Sequence, residues 1–169
     1  MQLSAPPRPV LLFACGNPSR GDDALGPMIC ERIQAQQRDA GSFPDLDLLT
    51  DFQFQIEHAL DLQQRRWVVF VDASLTVKPP FAFYPLHAHR DNTFTTHAMS
   101  PAAVLAVYRH LYGQPPPAYM LSIRGDDFAL GRPLSASAQG YLEAALAFVS
   151  RLPFDQPFDE TGIATRFCT

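Results

Sequence analysis

Residues 9–29 read PVLLFACGNPSRGDDALGPMI, from Pro9 to Ile29. Pro9 to Ala14 is a short, nearly unbroken apolar run that stops at Gly16-Asn17-Pro18. A run of that length without polar alternation suits a strand covered on both faces. Asp22 to Asp39 follows as a helix. Asp22 or Asp23 is placed to cap it, and Leu25, Met28, Ile29 and Ile33 approximate one apolar face. Pro27 falls in the first turn, where its missing N–H leaves no hydrogen bond unmade.

The same alternation continues outward. Leu46 to Asp51 reads as a second strand, and Gln53 to Leu62 as a helix with Ile56, Ala59 and Leu60 inside. Trp67 to Val71 is the clearest buried strand and halts at Asp72-Ala73-Ser74. Pro80 to Leu86, aromatic and proline-bearing, reads as an edge strand of antiparallel sense. His97 to Tyr112 is a helix with Ser100-Pro101 as cap and first residue and a stripe of Val104, Leu105, Tyr108 and Leu111. Ala118 to Ile123 is a strand, and Ser135 to Val149 a helix with Leu142, Ala145, Leu146 and Val149 inside.

Strands alternating with helices predict a three-layer α/β/α sandwich. Its mostly parallel, twisted sheet has about five strands, one of them an antiparallel edge. Residues 1–150 are expected to form one domain. Residues 151–169, with Pro153, Pro157 and no periodicity, are expected to be a tail that packs loosely or is disordered.

A net charge of −4 with scattered basic residues argues against nucleic-acid binding, which needs a basic face to neutralise phosphates. No apolar run approaches the roughly 20 residues that span a bilayer, so no membrane contact is expected. Leu11 to Cys15 is too short for a secretory core. Cys15, Cys30 and Cys168 are far apart, lack CxxC spacing and read as reduced thiols. A cytoplasmic monomer is the expectation.

Ligands of open α/β sheets bind beyond the carboxyl ends of the strands. The residues at those ends are Gly16 to Asp23, Thr50-Asp51, Asp72-Ala73-Ser74 and, after the edge strand, His87, His89, Asp91 and His97. Five aspartates and three histidines are thereby expected at one rim, a donor set that suits nickel, zinc or iron. Each also has an ordinary structural reading. Asp22 and Asp23 can be helix caps, Asp72 a turn residue, and His87, His89 and His97 surface decoration. His58 and His110 lie inside expected helices and carry no signal. GxGxxG, GxxxxGK(S/T) and GxSxG patterns are absent. The glycines of the first loop leave phosphate binding as a weak option.

Gly16-Asn17-Pro18-Ser19-Arg20-Gly21-Asp22-Asp23-Ala24-Leu25-Gly26-Pro27 resembles the N-terminal signature of the nickel-iron hydrogenase maturation proteases. Val68 to Ala73 resembles that family's central strand ending in aspartate. His97 with the following AMSPAAVL resembles its histidine and helix, and Leu121 to Ser135 its late strand and glycine-bearing loop. The resemblance spans residues 9–150.

It implies an endopeptidase that removes the C-terminal extension of a hydrogenase large-subunit precursor once nickel is inserted. The alternative is a non-catalytic metal-binding accessory or chaperone of hydrogenase assembly. It also implies Asp23, Asp72 and His97 as ligands to nickel held by the substrate. Asp51 matches a family aspartate near the cleavage site, although Phe52-Gln53-Phe54 stand where the family usually has glycines. Hydrolysis could proceed by metal polarisation of the carbonyl or activation of water, or with Asp23 or Asp51 as general base. The D-T/S-G loop of paired-aspartate proteases is absent.

Overall fold

A computed structural model describes residues 7–89 and 99–158. Five strands form one sheet: β1 (Val10–Cys15), β2 (Leu46–Asp51), β3 (Trp67–Ser74), β4 (Phe81–Leu86) and β5 (Ala118–Arg124). Their order is β2-β1-β3-β5-β4. All neighbours are parallel except β4, which runs antiparallel to β5 at the edge. The helices are α1 (Leu25–Ala40), α2 (Pro101–Tyr112) and α3 (Ala136–Val149). The expected mostly parallel sheet with an antiparallel edge is therefore the one observed. No helix among the described residues is long and apolar enough to cross a membrane.

Every residue of β1 is buried, as an unbroken apolar run requires. Val10, Leu12 and Ala14 pack with α1 and α3 residues such as Ile29, Ile33, Leu142 and Val149. Leu11, Phe13 and Cys15 pack on the other face with Phe54, Ala59, Leu62, Val104 and Leu105. Serines start two helices: Ser100 Oγ accepts the N–H of Ala103 at 3.1 Å, and Ser135 Oγ that of Ala138 at 3.2 Å. Gly41 ends α1 in the left-handed conformation, φ +64°.

Three expectations need correction. Asp22 and Asp23 cap nothing: Gly21–Ala24 is a 3-10 turn, α1 begins at Leu25, and neither aspartate makes a capping bond. The helix expected over Gln53 to Leu62 is a 3-10 helix over Ile56–Leu62. Ala59 and Leu62 turn toward the core, whereas Ile56 and Leu60 are each 57% exposed. The segment after Arg151 is packed as far as Phe158. Leu152 and Phe154 are buried, Phe154 stacks on Trp67 at 5.5 Å, and Trp67 Nε1 donates to the carbonyl of Gln156 at 3.2 Å. Aromatic area, which carries no helical period, anchors it.

Candidate functional site

From β1 the chain runs through α1 to β2 on one side, then crosses to β3 on the other, so the strand order reverses between β1 and β3. Crevices at such a reversal, outside the carboxyl ends of the strands, are where α/β sheets bind ligands. The register sets the floor of this crevice. Cys15 pairs with Asp51. Ala14 pairs with Val71, which brings Asp72 beside Cys15, and Asp72 pairs with Ser122. Alternation sends all four side chains to the α2 face of the sheet. Asp51, Cys15, Asp72 and Ser122 thus form a row across β2, β1, β3 and β5.

Asp23 closes the row from above, in the loop after β1. Its Oδ2 accepts the N–H of Asn17 at 2.9 Å. Gly16 lets the loop fold this tightly. Its φ is +145°, and a Cβ there would strike the carbonyl oxygen of Asp23. A Cβ on Gly26 would come within 2.5 Å of the Cys15 carbonyl, so the start of α1 also rests directly on the end of β1.

The electrostatics of the row are those of crowded negative charge. Burial pushes the Asp72 carboxyl up to about 7; the N–H of Ala73, donating at 2.8 Å, opposes this, and the charge of Asp23 adds to it. The Cys15 thiol is driven far above its usual range by burial, then by Asp72, Asp51 and Asp23. Cys15 is thus a neutral floor and no nucleophile.

Asp51 is differently held. Its Oδ1 accepts the N–H of Phe52 at 2.6 Å, and its Oδ2 lies 3.2 Å from His58 Nε2. His58 Nδ1 accepts the N–H of Gln55 at 2.9 Å, which assigns the ring proton to Nε2 and makes the imidazole the donor to Asp51. His58 is the residue that sequence reasoning missed. A polar residue on the inward side of an apolar stretch, seven positions after a rim aspartate, was its only signal.

Asp22 turns away from the row. It is wholly buried and accepts four hydrogen bonds: from the N–H groups of Asp126 (2.7 Å), Asp127 (3.0 Å) and Ser135 (2.7 Å) and from the Ser135 hydroxyl (2.8 Å). Burial alone would raise its pKa; these donors outweigh burial and hold it below the usual carboxylate range. Asp22 ties the loop bearing Asp23 to the loop between β5 and α3.

His87 does not join the rim, and His89 donates its N–H to the carbonyl of Ala102 in the first turn of α2 at 3.1 Å. Because β4 is antiparallel, its end at Leu86 pairs with Ala118, the start of β5. His87 accordingly lines a groove with Arg109 and Pro115 to Pro117 at the opposite end of the sheet. His97 and Asp91 lie outside the described residues. The described chain resumes at Met99, whose N–H donates to the carbonyl of Phe54 at 3.2 Å, just beyond Asp51. Among the described residues no three His, Cys, Asp or Glu side chains converge as a metal site. Asp23 and Asp72 present two neighbouring carboxylates at this rim.

No model of a known protein family and no curated protein matches the sequence. Solved structures do match in fold. A nickel-iron hydrogenase maturation protease, HycI, from Thermococcus kodakarensis is 18% identical, with TM-score 0.64 over 85% of this chain and 90% of that one. The hydrogenase maturating endopeptidase HybD from E. coli is 20% identical, with TM-score 0.61 over 83% and 88%. HybD from T. kodakarensis is 19% identical, with TM-score 0.60 over 84% and 97%. The reversal of strand order, the glycine loop after β1 and the acidic row beneath it therefore sit on a fold that this chain shares, over most of its length, with hydrogenase maturation proteases.

Proposed function

We propose that this protein is an endopeptidase that removes the C-terminal extension of a nickel-iron hydrogenase large-subunit precursor after nickel has been loaded. The observation that carries the reading is the acidic row. Asp51 and Asp72 share one face at the ends of β2 and β3; burial raises the Asp72 carboxyl to about 7, and the charge of Asp23 adds to the rise. Crowding of this kind favours a divalent cation over empty solvent.

In this reading the nickel is part of the substrate. Asp23 and Asp72 donate carboxylate oxygens to it and His97 an imidazole nitrogen, a mixed set suited to borderline divalent ions. An unloaded precursor presents no cation, so the carboxylates repel one another and nothing draws the extension into the crevice. Asp51 is the general base. It accepts a proton from a water whose oxygen bonds to the scissile carbonyl carbon, and it returns the proton to the departing amine as the C–N bond breaks. A carboxylate whose oxygens each already accept one N–H is held in a single orientation, which that transfer requires.

The test is mass spectrometry of purified protein mixed with nickel-loaded and nickel-free precursor. Loss of the C-terminal peptide from the loaded form alone is expected. Equal cutting of both forms would remove nickel from the recognition step. Tight binding without any mass loss would make the protein a non-catalytic accessory of assembly.

A further inference from the structure

We infer that His58 is a positioning residue for hydrolysis: its Nε2–H fixes Asp51 from the buried side, while its Nδ1 is held by the backbone of Gln55. The inference rests on the proposed role of Asp51 as general base.

The ordinary explanation of His58 is structural. It is the third residue of the 3-10 helix over Ile56–Leu62, and its Nδ1 accepts the N–H of the capping residue Gln55. That task needs an acceptor alone. Glu or Gln commonly performs it from this position. An acceptor-only side chain would turn no donor toward Asp51. The imidazole differs in carrying an acceptor and a donor on opposite sides of one rigid ring. Here both are used, at 2.9 Å to Gln55 and 3.2 Å to Asp51.

The ring is also locked in place. His58 is 9% exposed, and its edge meets Phe13 of β1 with ring centroids 4.6 Å apart. Phe54 packs against the same Phe13 at 5.1 Å. Phe13 belongs to the fully buried β1, so the position of the imidazole is referred to the core of the sheet. Asp51 meanwhile keeps a third of its side chain open to solvent. Its Oδ1 is held by the neighbouring Phe52 N–H at 2.6 Å, a contact that follows the local backbone. The His58 bond is the one that couples its Oδ2 to the core. The arrangement is a buried donor, oriented by a backbone group, behind a half-open carboxylate, and it sets the direction of the carboxylate without touching substrate.

The experiment compares cleavage of nickel-loaded precursor by the full chain, by His58→Phe and by His58→Gln, alone and combined with Asp51→Asn. His58→Phe keeps the ring against Phe13 and deletes both hydrogen bonds. It is expected to lower kcat by about 10- to 100-fold with KM unchanged. His58→Gln, which restores an N–H donor, is expected to recover most of that loss. In the Asp51→Asn background His58→Phe is expected to change nothing further, because its effect passes through Asp51. Wild-type kcat in His58→Phe would overturn the inference, as would losses that multiply with those of Asp51→Asn. Should His58→Phe fail to fold, long-range proton–nitrogen NMR of the unmodified protein decides: the proton on Nε2 is expected, and a proton on Nδ1 alone would defeat the inference. An unmodified protein that cuts no loaded precursor would instead sink the proposed function, a result separable from all of these.

Discussion

Asp22 and Asp72 are both largely enclosed carboxylates, and they are provided for in opposite ways. Asp22 receives four hydrogen bonds from the loop between β5 and α3 and is held below its ordinary pKa. Asp72 receives one, among the described residues, from the N–H of its own neighbour, and burial with the added charge of Asp23 pushes it to about 7. A carboxylate whose lone pairs are filled by the protein serves the fold. One left under-supplied beside a like charge stores an unmet demand that a cation can answer.

The largest effect should come from removing the under-supplied group. Asp72→Asn is expected to reduce cleavage of loaded precursor by more than the roughly 100-fold typical of losing an outer-sphere partner, measured as single-turnover rate. The same variant should make the chelator-treated protein more stable at pH 8. The sign follows from the raised pKa. The contribution of Asp72 to stability is full below its ordinary 3.8 and is lost as the pH rises through about 7. Asparagine abolishes that loss, worth roughly 2–4 kcal/mol. A lower melting temperature for Asp72→Asn at pH 8 would refute the contrast.

Asp22→Ala should do the reverse. It leaves three backbone N–H groups and a hydroxyl without their acceptor, so a loss on the order of 3 kcal/mol is expected in denaturant melts. Asp22 is held below its usual range, so its stabilising contribution is present above that range and disappears as the pH falls through the lowered value. The gap between wild type and Asp22→Ala should therefore narrow in acid and persist at pH 8. A gap that widened in acid would contradict the role assigned to Asp22.

Gly16→Ala should fall between the two classes. The added methyl strikes the Asp23 carbonyl in a backbone conformation that L-residues rarely adopt, at about 1–3 kcal/mol. Cleavage should drop further than the change in folded fraction explains, because Asp23 is displaced. Activity that simply tracks stability would separate the loop from the site. The smallest effect is expected for Leu60→Ser. Leu60 is 57% exposed on the 3-10 helix, so melting should move by no more than about 0.5 kcal/mol. A large loss would restore the α-helical face that the sequence suggests.

The layers and the sheet were legible because each central strand is an unbroken apolar run and each long helix carries a polar break and a serine or glycine boundary, as at Ser100, Gly41 and Ser135. The Gln53 to Leu62 segment was misread because eight to ten residues hold too few turns to separate a period of 3.6 from one of 3.0. The positions of Asp51 and Asp72 at the carboxyl end of the sheet were legible because each follows a strand run in the sequence. The fate of Asp22 was not, since its partners Asp126, Asp127 and Ser135 lie more than a hundred residues away. His87 was placed at the wrong end because proximity in sequence to a strand end ignores the reversed direction of β4. His58 was passed over because its partner Asp51 meets it only across the turn between β2 and the 3-10 helix.

The row at the carboxyl ends has one mechanical corollary. Asp51 and Asp72 stand on strands separated only by β1, two interstrand steps of about 4.8 Å each. Main-chain ladders are stiff, so this interval behaves as a gauge block: it cannot stretch to suit a longer substrate or shrink to suit a shorter one. If one carboxylate grips the cation while the other serves the bond to be broken, the sheet itself measures how far from the cation the cut falls.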